Sequence, residues 1–376
     1  MKKTEKAVKI ILICIVLLFC FGICAGAENS SDDLISESPA GELFDRLPDE
    51  TKELFEEAGI SSLSFDSIFS VNSGDIAAMF GKLVTGQIEA PVKSFIRLMS
   101  VIVMLSVAEC FMPDNDGMKN VAEIVGTLFC VISVISPLTT AISAAAASIT
   151  LSAGFMAALI PVLAAVVTAS GNPVLALSFQ SIAFSAAQVI SAVSKNCIMP
   201  LVGAVLAIDI TGAIMPSFNL SGLTEFIKKT LTAVMSFAAT MFVSFLGIKE
   251  ALANAADTVA SSGIKLAIST AVPVVGGALS EAYSGVMGSL VLARSTVGIF
   301  GIAAIALINL PSCVQLVFWI FALRAGAAAG EIFDRGGTAE LLKSMASAVT
   351  LLNVVLVFNA VLFIISTALI ITIKAM

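Results

Sequence analysis

The sequence predicts an all-α protein: a polytopic helical membrane bundle of about six to eight spans, with broken or amphipathic helices and a short acidic N-terminal segment. Three observations predict it. Of 376 residues, 58% are hydrophobic and 12% charged, against about 45–50% and about 25% in soluble domains. Apolar stretches near the ~20 residues that cross ~30 Å of hydrocarbon follow one another almost without pause from Pro91 onward. Charge is segregated along the chain. Residues 28–90 carry fourteen acids against three bases, a net of −11, whereas residues 121–376 carry ten bases and nine acids, a net of +1.

Residues 1–27 read as a signal peptide. Lys2, Lys3, Lys6 and Lys9 precede the apolar run from Ile10 to Ile23, and Ala25-Gly26-Ala27 supplies small residues before polar Glu28. Cleavage is expected after Ala27, with an uncleaved anchor as the alternative. A lipoprotein signal centred on Cys24 fits less well, because bulky Ile23 stands where a small residue is wanted. Either way, the acidic segment 28–90 is expected outside the cytoplasm. It contains two short helices. One runs from Asp49 to Ala58, ahead of Gly59. The other is capped by Ser73 and places Ile76, Met79, Phe80, Leu83 and Val84 on one face. Some sixty residues bury little surface alone, so this head is expected to pack on the membrane face or on a partner.

Residues 91–248 form a multi-span region. Candidate spans are 92–112, 121–136 running on towards 147, 150–169, 173–194, 197–216 and 230–248. In the C-terminal region, 302–376, the candidates are 297–329, as one or two passes, and 347–373. Pro137, Pro161, Pro173, Pro200, Pro216, Pro273 and Pro311 punctuate these runs. Small residues such as Ala144 to Ser148 permit close helix approach, which predicts a tight, kinked bundle. Arg324, Arg335 and Lys343 point to a cytoplasmic loop at about 324–346, and a last span leaving it puts the C-terminus outside. Asp209, set in an apolar run, either marks a span end or needs a partner, with Lys195 a candidate.

Residues 249–301 differ from an ordinary span. Glu250, Asn254, Asp257, Thr258, Ser261 and Lys265 follow at helical spacing as a polar stripe. After the structural break at Pro273, Gly276 and Gly277 come Glu281 and Arg294. Intramembrane charge costs several kcal/mol unless it faces water or a partner. These helices therefore lie along the interface or turn their polar stripes to a shared aqueous path, and breaks of this kind occur near transporter sites.

Asp257-Thr258-Val259, Lys265, Val272-Pro273-Val274-Val275-Gly276, Glu281-Ala282, Leu290-Val291-Leu292-Ala293-Arg294 and Val297-Gly298 together resemble the stage III sporulation protein AE family of endospore-forming bacteria. The likeness extends over most of the chain, with these roughly 45 residues its specific part. It implies a non-enzymatic subunit of the channel complex between mother cell and forespore, in the mother-cell membrane around the engulfed forespore. The implied partners are the other proteins of the stage III sporulation operon and the forespore's stage II sporulation protein Q, with a homo-oligomer allowed. Asp257, Lys265, Glu281, Arg294 and Asp209 are then candidates for lining a pore or contacting another subunit.

Other chemistry finds little support. The chain has no histidine, the commonest general base and metal ligand, so neither a metal nor a cofactor is expected. Seven cysteines include no C-x-x-C pair; Cys14, Cys20 and Cys24 lie in the signal, and Cys110, Cys130, Cys197 and Cys313 stand singly. No basic patch offers a grip on nucleic acid. There is no H-E-x-x-H, G-x-S-x-G or phosphate-binding loop. Ser262 and Lys265 match S-x-x-K without its companion elements. A secondary transporter is the alternative reading, although no repeat with matched interruptions appears in two halves.

Overall fold

The computed structural model describes residues 41–63, 67–68, 73–109, 111, 116–169, 173–214, 220, 222–238, 240–241, 244 and 276–371. The expected signal with Ala27, and Asp257, Lys265 and Pro273, lie outside them. Within them the protein is helical and contains no strand.

A 3₁₀ turn at Gly41–Leu43 leads to α1, Asp49–Glu57, whose first turn carries Asp49 and Glu50, acids that favour a helix N-terminus. α1 ends where Gly59 takes a φ of 84° and the Ile60 amide donates to the Phe55 carbonyl at 2.8 Å, a turn that glycine makes at no steric cost. α2, Ser73–Glu109, begins at the predicted capping serine and continues through Pro91. The boundary drawn at residue 90 is therefore not a break in the chain. α3 is one helix of 54 residues, Asp116–Ala169. α4, Pro173–Val193, passes through a π-helical turn, Ser194–Ile198, into α5, Met199–Ile214. Residues 222–238 are helical. α6, Gly276–Ile332, is the longest helix at 57 residues, and α7, Gly336–Ile371, returns along it.

One expectation about interruptions is corrected, and one pair of alternatives is decided. Candidate spans 121–147 and 150–169 are one helix through Pro137 and Pro161, and 297–329 is a single helical passage through Pro311. Each proline forfeits one backbone hydrogen bond. Ending a helix inside an apolar bundle would strand several, so the helix continues. Among the described residues, five stretches are long and apolar enough to cross a membrane: Gly74–Ala108, Val121–Ala169, Gln180–Gly212, Leu290–Ile332 and Gly336–Ala368. This is the architecture of a multi-pass helical membrane protein. Part of the candidate span 230–248 lies outside the described residues.

Side-chain pairs fix the helix directions. Ser148 meets Ser312 and Ser152 meets Asn309, so α3 and α6 are antiparallel. Thr127 meets Thr338 and Met156 meets Thr367, so α3 and α7 are parallel. Glycine sets the closest approaches. A Cβ on Gly301 would come within 2.5 Å of Leu159, one on Gly326 would run into Leu98, and one on Gly298 into Ile371. Bare backbone at these crossings is what small-residue packing between membrane helices requires.

The core falls into two stacked clusters. One holds the middle of α3, the Ile198–Leu206 region, Cys313–Ala327 and Leu341–Leu356. The other joins the C-terminal third of α3, Ala293–Leu310 of α6 and the end of α7 to the head residues Leu43, Leu47, Phe55, Ile60 and Leu63. Phe55 stacks on Phe300 at 5.2 Å between ring centroids, and Phe44 closes on both at 6.1 and 6.2 Å. The head thus packs on the bundle itself, at one end. The α6–α7 hairpin, where Asp334 takes a φ of 57°, marks the other.

Candidate functional site

Uncharged polar side chains form a layer across the middle of the bundle. The Ser148 and Ser312 hydroxyls lie 2.8 Å apart. Asn309 donates its amide to Ser152 at 2.7 Å and to its own helix at the Ile305 carbonyl, also 2.7 Å. Ser194, the first residue of the π-helical turn, donates to Asn359 at 3.1 Å. Ser152, Asn309 and Asn359 are buried. These residues stand close to the midpoints of four of the five apolar stretches, Val121–Ala169, Gln180–Gly212, Leu290–Ile332 and Gly336–Ala368. Hydroxyls and amides there tie helices together across the bundle. The paired side chains of this layer are uncharged, and Lys195, the residue after Ser194, is exposed.

A second polar group locks the hairpin end. Arg335 is buried and donates to the Leu105 carbonyl at 2.7 Å, in the penultimate turn of α2, where a cation meets the negative end of the helix dipole. Glu123 of α3 accepts from the Gly337 amide at 2.8 Å, which satisfies one of the N-terminal donors of α7. Thr127 and Thr338 add a buried contact at 3.2 Å. Arg294 plays the matching part at the head end: it is buried and donates to the Ile371 carbonyl, the last residue of α7, at 3.4 Å.

Of the sequence-predicted residues, Asp209, Gly276, Gly277, Glu281 and Arg294 are among those described. Asp209 is buried in α5 and its partner is Lys228, 3.4 Å away. Lys195, the partner expected from sequence, is exposed in the π-helical turn. The turn lies a full α5 segment away from Asp209, whereas the stretch 222–238 folds back beside it. Glu281, Gly276 and Gly277 belong to the first turns of α6. Asp257, Lys265 and Pro273 are outside the described residues.

Sequence reasoning missed Asn309, Asn359, Ser152, Arg335 and Glu123. A signal was present for the first three: lone amides, or serines spaced by four, inside otherwise apolar runs. Among the described residues no three Cys, Asp or Glu side chains converge to hold a metal.

The family model for stage III sporulation protein AE matches residues 62–374, which takes in every apolar stretch described above. Stage III sporulation protein AE of Bacillus subtilis (strain 168) is 23% identical over 232 residues, covering 62% of this chain and 58% of that protein. The matched region thus spans little more than half the length of that relative. No solved structure matches. A match over so much of the chain settles its kinship: the protein belongs to the stage III sporulation protein AE family.

Proposed function

We propose that the protein is a non-enzymatic membrane subunit of the complex that connects mother cell and forespore during sporulation. It sits in the mother-cell membrane around the engulfed forespore, beside the other stage III operon proteins and the forespore's stage II protein Q. The observation that carries this reading is the family match over residues 62–374, joined to a bundle whose interior polar groups pair helices instead of assembling a reactive centre. In this reading Asp257, Lys265 and Glu281 line the path or meet other subunits, while Arg294 and Asp209, whose side chains are buried in contacts within the chain, hold the bundle that carries them.

Orientation follows from charge. Exposed Lys229, Arg324 and Lys343 cluster at the hairpin end, while exposed acids of the head, including Glu50, Glu53 and Glu56, stand at the other. Bases mark the cytoplasmic side. The head and the end of α7 are then extracytoplasmic, and the hairpin faces the mother-cell cytoplasm.

The test is complementation in a spore-forming host lacking its own copy. Lys265→Leu and Arg294→Leu are expected to reduce spore yield while the protein still fractionates with membranes. Wild-type yield from both removes the residue assignment. Full sporulation of the strain with no copy at all removes the functional reading.

A further inference from the structure

We infer that the α1–α2 face of the bundle borders water at the depth of the hydrocarbon, with Lys82, Glu89, Lys93 and Arg97 along that aqueous wall. The biological sense of a water-filled wall rests on the channel-subunit reading, but the geometry does not.

Three helices fix where the hydrocarbon lies. α3 carries no charged side chain from Ile124 to Ala169, α6 none from Ser295 to Leu323, and α7 none from Ser344 to Ile371. The α6 run is closed at both ends by charge, at Arg294 and Arg324. At about 1.5 Å per residue it extends over roughly 43 Å, so a slab of about 30 Å can slide by only about 13 Å within it.

α2 runs beside that stretch of α6 in the same direction. Leu98 lies against Gly326, and Met79 and Leu83 belong to the same core cluster as Phe300, Ala304 and Ile308. Residues 82–97 of α2 therefore pass alongside the charge-free part of α6 and its cytoplasmic edge. Yet Glu89 and Lys93 pair on the surface with side chains 66% and 63% exposed, and Lys82 reaches Glu57 of α1 at 2.8 Å with its side chain 69% exposed. Arg97 is exposed on the next turn. Beyond them α1 shows Glu50, Glu53 and Glu56 to solvent.

Snorkelling does not remove the problem. Long cationic stems bend towards a membrane surface, but the charges from Lys82 to Arg97 are spread over about 22 Å of helix, and the shorter Glu89 lies among them. Charge at that depth is retained where it faces water or a partner. Elsewhere on the bundle, Leu151 of α3 and Phe184 of α4 are exposed, as lipid allows.

Single cysteines at Glu89, Lys93, Leu151 and Phe184, in an otherwise cysteine-free chain in sealed membranes, test this with a charged, membrane-impermeant methanethiosulfonate. Thiols at 89 and 93 are expected to react about tenfold or more faster than those at 151 and 184, because reaction proceeds through the thiolate, which needs water. Equal, slow reaction at all four positions, with all four reacting after denaturation, overturns the inference. If the cysteine-free chain accumulates poorly, nitroxides at the same sites in purified protein in liposomes give the same distinction. Greater collision with a water-soluble nickel chelate than with oxygen at 89 and 93 supports the inference, and the reverse overturns it. Neither readout depends on spore formation, so a buried α2 face would refute this inference while leaving the sporulation role to its own test.

Discussion

Removing Lys228 should cost more than removing the whole ion pair to which it belongs. Its ammonium lies 3.4 Å from the Asp209 carboxylate, with side chains 18% and 4% exposed respectively. At that separation two unit charges attract by about 5 kcal/mol for an effective dielectric near 20, and desolvation offsets much of this. Lys228→Met leaves a carboxylate buried without its partner, which costs about 3–5 kcal/mol in such pairs. The partial exposure of Lys228 places the expectation near 3. Asp209→Asn combined with Lys228→Met removes both charges, and replacing such a pair with neutral groups is often close to neutral. The double variant should therefore recover at least about 1.5 kcal/mol relative to Lys228→Met. Reversible unfolding in mixed micelles, followed by circular dichroism, gives the four corners of the cycle. Strictly additive effects would show that the two charges do not interact, and would refute the reasoning.

Three further outcomes are expected. Gly326→Ala should destabilise by about 1–3 kcal/mol through overpacking against Leu98, and adding Leu98→Ala should recover part of that loss in the same unfolding assay. Arg335→Met should cost about 1.5–3 kcal/mol, the worth of a hydrogen bond to a charged group, and should raise amide exchange in the last turns of α2. Phe55→Ala should cost about 3 kcal/mol or more of head attachment, seen as protease cleavage within residues 41–63 while α6 and α7 stay protected.

Class was legible from sequence because it depends on bulk quantities: apolar runs long enough for a bilayer and too few charges for water. The start of α2 at Ser73 and the glycine after α1 were legible for local reasons, since helix starts and left-handed turns are decided by neighbouring residues. Helix continuity was not. Pro137, Pro161 and Pro311 look like stops in a single chain, but the cost of ending a helix depends on whether its freed backbone groups can meet water, which is a property of the bundle. The partner of Asp209 was missed for a related reason. Sequence proximity favours Lys195, and only the return of the segment 222–238 brings Lys228 within reach. Arg294 stood out as a charge in an apolar stretch, whereas its bond to the end of α7 joins residues 77 positions apart. The head shows the same limit: α1 was expected, but the meeting of Phe44 and Phe55 with Phe300 is tertiary.

Sidedness tests the account most directly, because the head and the α6–α7 hairpin occupy opposite ends of one bundle. Cysteines introduced singly at Glu53 and Glu340, both exposed, can be probed in intact protoplasts with a membrane-impermeant maleimide. The account predicts labelling at position 53 from outside and at position 340 only after permeabilisation. Labelling of both from the same side would contradict it.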